Sequence, residues 1–342
     1  MPILLFRLFP LLALLALLAA CDDTTDRLSA LNGPTMGTTW SVKFTGTPTG
    51  GVPALRQSIE AALEQVNADM STYREDAIIS RFNRAEAGRA VTLSDDFAKV
   101  LQEALSISRD TDGAYDVTIG PLVNLWGFGP DPERFEPPPE ADVEAARARV
   151  GWQQLKLNGD QLVQPGGVYL DLSSIAKGFA VDKVAGVMEQ AGIGNYLVEI
   201  GGELRAAGQK PHGQPWRVAV ERPIVGVREM DKVIALRDLS IATSGDYRNF
   251  FEVDGKVYSH TIDPRTGYPV GHRLGSVTVL HSSCMVADGL ATALTVLGPE
   301  KGLAFAEARE LPVLFIVRGD NGPEEIMTDA FRNILEGEAG GN

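Results

Sequence analysis

Three stretches of this chain hold residues able to do chemistry. In Tyr258-Ser-His-Thr-Ile-Asp-Pro-Arg-Thr-Gly-Tyr-Pro269 a single titratable ring, His260, stands shortly before a carboxylate, Asp263, that a proline follows. An imidazole titrates near neutrality and can take a proton from a hydroxyl nucleophile. The same ring can serve as a structural group bonded to Asp263 or to backbone. In Ala287-Asp-Gly-Leu-Ala-Thr292 a carboxylate and a hydroxyl sit four apart, so Asp288 and Thr292 share one helix face, a pairing able to hold a hard cation. Its plainer reading is a helix cap at Asp288-Gly289. In Leu170-Asp-Leu-Ser-Ser-Ile-Ala-Lys177 a helix begins with Asp171 and Ser173 as cap candidates and Lys177 one turn further in. A helix N-terminus beside a lysine suits phosphate, and an ordinary capped helix with a solvated lysine gives the same pattern.

The elements that must position these groups follow from periodicity and turn residues. Tyr258 to Ile262 ends a strand, and Asp263-Pro264-Arg265-Thr266-Gly267 has the Asp-Pro and late glycine of a tight turn, so His260 is expected at a strand end beside a loop. Thr35 to Phe44 alternates as a first strand, and Val52 to Met70 has helical spacing. A loop after Ser71 places Tyr73 where its ring could stack on a planar ligand or simply pack. Ser94 N-caps a helix to Thr111, Asp112-Gly113 ends it, and an irregular Gly- and aromatic-rich stretch runs to Gly129. A Pro-rich surface loop spans Pro130 to Pro139, a short amphipathic helix Ala141 to Val150, and a hairpin Gly151 to Tyr169. Two strands flank Gly201-Gly202, another covers Trp216 to Glu221, and Ile241 to Phe251 reads as a loop of small residues where a flat ring could lie against backbone. After the Asp288 helix, Leu311 to Val317 is an apolar strand, followed by a Gly/Asn turn and a last strand or short helix. Antiparallel runs interrupted by single helices predict an α+β fold with mixed, largely antiparallel sheets, and no dinucleotide-binding glycine fingerprint follows a strand.

Composition narrows the partners. The net charge of -14 argues against nucleic acid and against electrostatic binding to anionic lipid, so an anionic ligand must be met by local devices. Residues 1–20 carry Arg7 and then a leucine- and alanine-rich run, as an export signal does. Leu18-Ala-Ala-Cys21 resembles the bacterial lipobox, which implies lipid on Cys21 and a membrane anchor. Asp22-Asp23 resembles the signal that keeps lipoproteins in the inner membrane, so the mature chain is expected to face the periplasm. Residues 21–32 would be the lipidated N-terminus and tether, and 33–337 a single folded unit. With Cys21 acylated only Cys284 remains; no disulfide is expected, and Cys284 is assigned to the core.

The set Met36-Gly-Thr, Ser71-Thr-Tyr73, Gly113-Ala-Tyr-Asp116, Asp171-Leu-Ser-Ser174, Gly201-Gly202, Ser259-His-Thr-Ile-Asp-Pro264 and Ala287-Asp-Gly289 resembles the ApbE flavin transferases. The resemblance implies a single T-fold-like catalytic unit that transfers FMN from FAD, its substrate, onto a threonine hydroxyl of a target protein, releases AMP and uses Mg²⁺. By family position Met36, Tyr73, Ala114, Tyr115, Asp116, Asp171, Lys177 and Ile262 line the FAD site, with Asp116 and Asp171 as acceptors for polar edges. Ser174, Asp288, Ala291 and Thr292 surround the metal, Ser174 through side chain or backbone. Ala291 stands where some relatives have Asp and offers only a carbonyl, which leaves one or two ions open. His260 is the expected base. A periplasmic FAD pyrophosphatase with water as acceptor, or a lipoprotein that only holds flavin, would use many of the same residues.

Overall fold

A computed structural model describes residues 27–130, 136–221, 230–245, 250–320 and 322–339. The export segment, Cys21, Asp22-Asp23 and the middle of the Pro-rich loop lie outside them.

Eight strands form one sheet in the order Ser29–Thr35, Thr38–Phe44, Tyr196–Ile200, Glu203–Ala207, Ser240–Gly245, Leu274–His281, Val313–Gly319 and Gly322–Met327, every neighbouring pair antiparallel. Spatial order follows chain order, so the sheet is a meander whose connections carry the remaining elements. The α+β expectation holds. The helices Gly51–Met70, Ala176–Gln190 and Cys284–Glu307 lie on one face. The hairpin Trp216–Glu221/Met230–Leu236 and the helix Asp329–Ala339 cover the other. Strand alternation divides the two cores: Val313 and Phe315 enter the helix side, Leu314 and Ile316 the hairpin side. That double burial is why Leu311 to Val317 is an uninterrupted apolar run rather than an alternating one.

Several boundaries differ from expectation. The first strand is two: Met36 (φ 48°) and Gly37 (φ 71°) make a two-residue turn that pairs Thr35 with Thr38. The sheet therefore starts at Ser29, inside the stretch assigned to the tether, because Ser29 to Thr35 finds a partner strand. Ser240 to Gly245 is a sheet strand, since its small residues let the Cys284–Glu307 helix lie close, and residues 246–249 of that stretch fall outside the described segments. The apolar run after Lys256 breaks into Lys256–Ser259 and Ile262–Asp263, leaving His260 between two strand ends.

The long Cys284–Glu307 helix bends at Gly298 (φ 78°, ψ 175°), just before Pro299. Pro299 has no N–H for the Thr295 carbonyl four residues earlier, and His272 Nε2 bonds that oxygen at 2.8 Å. At its start the helix receives Asp182 from the Ala176–Gln190 helix, whose carboxylate accepts from the Cys284 and Met285 backbone N–H groups, from Ser283 Oγ and from Arg205. One carboxylate thus satisfies orphan donors of a neighbouring helix and pairs with a strand guanidinium. Replacing Asp182 by Ala should lower unfolding free energy by about 2–4 kcal/mol, the range for a lost cap combined with a broken half-buried ion pair. Thermal or urea unfolding checks this, and a loss under about 1 kcal/mol would mean the helix start is held by packing alone.

Candidate active site

A cavity of about 600 Å³ opens where the starts of the Ala176–Gln190 and Cys284–Glu307 helices meet the sheet. It collects Tyr73, Ala114, Tyr115, Asp116, Asp171, Ser174, Lys177, His260, Ile262, Asp288 and Thr292, drawn from segments far apart in the chain. Two expected residues stay outside its wall. Met36 packs at the edge of the core. Ala291 is fully buried and its carbonyl accepts from Thr295 Oγ1 at 2.8 Å.

Asp288 sits inside its helix rather than at a turn. Its Oδ2 accepts the Gly178 backbone N–H at 2.9 Å, so it caps the other helix and not its own. A side chain at Gly178 would put Cβ 2.3 Å from the Cys284 carbonyl oxygen, so glycine lets the two helix starts touch. Burial raises the Asp288 carboxyl, only partly countered by Lys177 and the Gly178 N–H. Glu203, which the sequence reading missed, is also buried, and its Oε1 binds Lys177 Nζ at 2.5 Å while its Oε2 finds no partner among the described residues. Burial raises Glu203 as well; Lys177 opposes this and Asp288 adds to it. For Lys177 burial pulls downward, but Asp288 and Glu203 together leave the ammonium held above its ordinary value. A visible hint was the acidic residue directly after Gly201-Gly202, at the head of a strand.

The oxygen set suits a hard cation. No group of three His, Cys, Asp or Glu is placed to hold a metal among the described residues, so any ion must draw on hydroxyls and substrate oxygens beside Asp288. Thr292 Oγ1 lies 3.1 Å from Ser244 Oγ, and Ser174 Oγ donates to Tyr115 Oη at 3.0 Å. Two buried carboxyls face one ammonium, so one of them lacks a cation of its own, and one oxygen there has no partner among the described residues. Magnesium, which takes one or two carboxylates and otherwise water and phosphate oxygens, fits those donors.

Other assignments change in role. Asp116 borders the cavity, and its Oδ1 accepts from Thr118 N and Oγ1 and its Oδ2 from Trp152 N, so it also fixes the loop; burial raises its pKa. Asp171 accepts from Ser173 N and Oγ and so closes the turn ahead of the helix, which starts only at Ala176 with no side-chain cap. Tyr115 is buried and braces Ser174. Tyr73 is 71% exposed at the rim, its ring free of the core.

His260 belongs to a separate aromatic cluster. Phe251 stacks on Tyr258 (5.1 Å) and on Phe128 (5.6 Å), Trp126 meets Tyr258 (5.6 Å), and Phe128 presents an edge contact to the His260 ring. Trp126 Nε1 donates to the Gly267 carbonyl, tying the turn after His260 to this cluster. Asp263 is engaged by the Arg265 backbone and guanidinium, the latter at 2.8–2.9 Å, so the carboxylate anchors its own turn.

Residues 36–315 match the sequence model of the ApbE family. A Vibrio cholerae protein named FAD:protein FMN transferase is 47% identical over 93% of this chain and 95% of its own, and a Haemophilus influenzae protein of the same name is 47% identical over 93% and 94%. Among solved structures, the flavin transferase ApbE from Vibrio cholerae superposes with TM-score 0.84 at 45% identity, covering 90% of this chain and 99% of that one. The apo flavinyl transferase ApbE of Pseudomonas stutzeri gives 0.85 at 43%, covering 92% and 98%.

The buried carboxylates set a pH dependence. A carboxyl raised by folding keeps its proton where the unfolded chain has released it, so the folded state binds more protons. Its stability contribution is full below the ordinary carboxylate range and falls as pH rises through the raised value. Metal-free protein should therefore lose melting temperature between pH 5 and 8, and Glu203→Gln should flatten that fall. Parallel wild-type and variant slopes across thermal scans would remove Glu203 as its source.

Proposed function

The chain belongs to the ApbE family, and on that premise we propose that it moves FMN from FAD to a threonine of its acceptor protein with the help of Mg²⁺. The coarser statement stands by itself: the protein is a flavin transferase that uses FAD as substrate and a protein as acceptor. One observation carries the finer reading, namely that a single cavity joins a possible base, a buried carboxylate beside hydroxyls, and an ammonium.

In this reading the acceptor hydroxyl attacks the phosphorus on the FMN side of the pyrophosphate. The bond from that phosphorus to the bridging oxygen breaks, AMP leaves with that oxygen, and the threonine oxygen becomes the ester link to FMN. The hydroxyl proton passes to a ring nitrogen of His260, whose aromatic neighbours hold the ring at the cavity wall. Lys177 offers a fixed positive charge to phosphate oxygens, and the exposed Tyr73 ring offers a face to the isoalloxazine. Asp288, Thr292 and Ser174 would hold Mg²⁺, with Ser244 beside Thr292. When bound, that ion neutralises phosphate charge and stabilises the leaving AMP.

His260→Ala should lower single-turnover transfer by roughly 10² to 10⁴ with FAD affinity little changed, the usual contribution of a general base. Asp288→Ala should abolish Mg²⁺-dependent transfer. Mass spectrometry of an acceptor domain incubated with FAD and Mg²⁺ reads both variants and separates transfer from hydrolysis by water. A rate loss at His260 matched wholly by lost FAD affinity would make the ring a scaffold.

For location, the proposal is an inner-membrane lipoprotein acylated at Cys21 and facing the periplasm, supported by the lipobox-like Leu18-Ala-Ala-Cys21. Cys21→Ser should release the chain from the membrane fraction, and unchanged fractionation would refute the anchor.

A further inference from the structure

We propose that Glu203 is a positioning residue of the transfer reaction, holding the Lys177 ammonium at the cavity wall where it meets the pyrophosphate of FAD. This rests on the flavin-transfer reading above. The geometry has a direction to it. In the Lys177–Glu203 pair the lysine side chain is 30% exposed and the glutamate 5%, so of two residues that both line the cavity the lysine is the more accessible. An ammonium has three N–H donors, and Glu203 Oε1 takes one. A flexible four-carbon stem loses much rotamer entropy when a ligand must immobilise it; a partner that fixes it beforehand removes that cost from binding.

The surrounding backbone makes room for the pair. Gly201 (φ 61°) turns the chain between Tyr196–Ile200 and Glu203–Ala207, and a Cβ there would lie 2.9 Å from Thr38 Cγ2 and 3.4 Å from Lys177 Cδ. Stability alone does not explain the arrangement, because a buried ion pair gains little over apolar packing and this one leaves Glu203 Oε2 without a partner. A carboxylate kept at a cavity wall under those conditions has its use in what the paired ammonium does next.

The test is a double-variant cycle on the full chain, reading FAD affinity by flavin fluorescence and the single-turnover rate with Mg²⁺ and acceptor. Lys177→Met should weaken FAD binding by roughly 10- to 100-fold, the value of a charge-assisted bond to phosphate. Glu203→Gln, the same shape without the charge, should weaken it by roughly 10-fold, with the rate at saturating FAD much less affected. Glu203→Asp, which keeps the charge but draws it back, should fall between Gln and wild type. Because Glu203 acts through Lys177, the double variant should bind FAD no worse than Lys177→Met alone. Multiplying losses in the double variant, or a Glu203→Gln effect confined to melting temperature, would overturn the inference. A Lys177→Met variant with unchanged FAD affinity would instead remove Lys177 from the flavin site and so strike the reading beneath it.

Discussion

Two helix starts exchange carboxylates, and the rest of the site depends on that exchange. Asp182 of the Ala176–Gln190 helix accepts the first N–H groups of the Cys284–Glu307 helix, and Asp288 of the second accepts the Gly178 N–H of the first. Each helix would otherwise bring unsatisfied donors into a largely buried junction. Because the partners are reciprocal, neither helix can slide along the other without losing a cap. Gly178 permits the approach, since a Cβ there would strike the Cys284 carbonyl; Gly289 makes room instead for Ile107 of the Asp95–Asp110 helix, 2.6 Å from where its Cβ would sit. The register that results sets Lys177 and Asp288 on the same cavity wall.

That junction carries an imbalance of charge. Asp182 is neutralised by Arg205 and by two helix N–H groups, whereas Asp288 and Glu203 share Lys177 between them. A fold selected for stability alone would not bury a second carboxylate against one ammonium. The imbalance suits a ligand that brings a divalent cation and a pyrophosphate together, since the cation meets the excess negative charge and the ammonium meets the phosphates.

Much of this was visible in the chain as written. Helical spacing located Gly51–Met70 and Asp95–Asp110 closely, and Ser94 does cap the latter through Phe97 N. The Asp288–Thr292 spacing placed both on the cavity wall because a long helix obeys its period whatever surrounds it. What stayed hidden depends on partners distant in sequence. Asp116, read as a ligand acceptor, also accepts from Trp152 N, 36 residues further on. Asp288 looked able to cap its own helix and caps another. Glu203 attracted no attention because a glutamate heading a strand is ordinary until Lys177 is seen across from it. The Met36–Gly37 turn was lost in an alternating pattern that continues on both sides of it.

His260 is held by different means from the charged wall. Its loop is fixed by Trp126, Phe128, Phe251 and Tyr258, together with the Trp126 bond to the Gly267 carbonyl, a small cluster distinct from the helix-side core that carries Lys177 and Asp288. Aromatic packing orients a ring without placing charge beside it, whereas the wall that holds Lys177, Glu203 and Asp288 is built from charged groups. Both sets border the same cavity. A substitution in the aromatic cluster therefore acts on the His260 side of the cavity, while one among Lys177, Glu203 and Asp288 acts on its charged side. Catalysis by alignment is sensitive to relative displacement of the reacting groups, and the two sides of this cavity are held by separate sets of contacts.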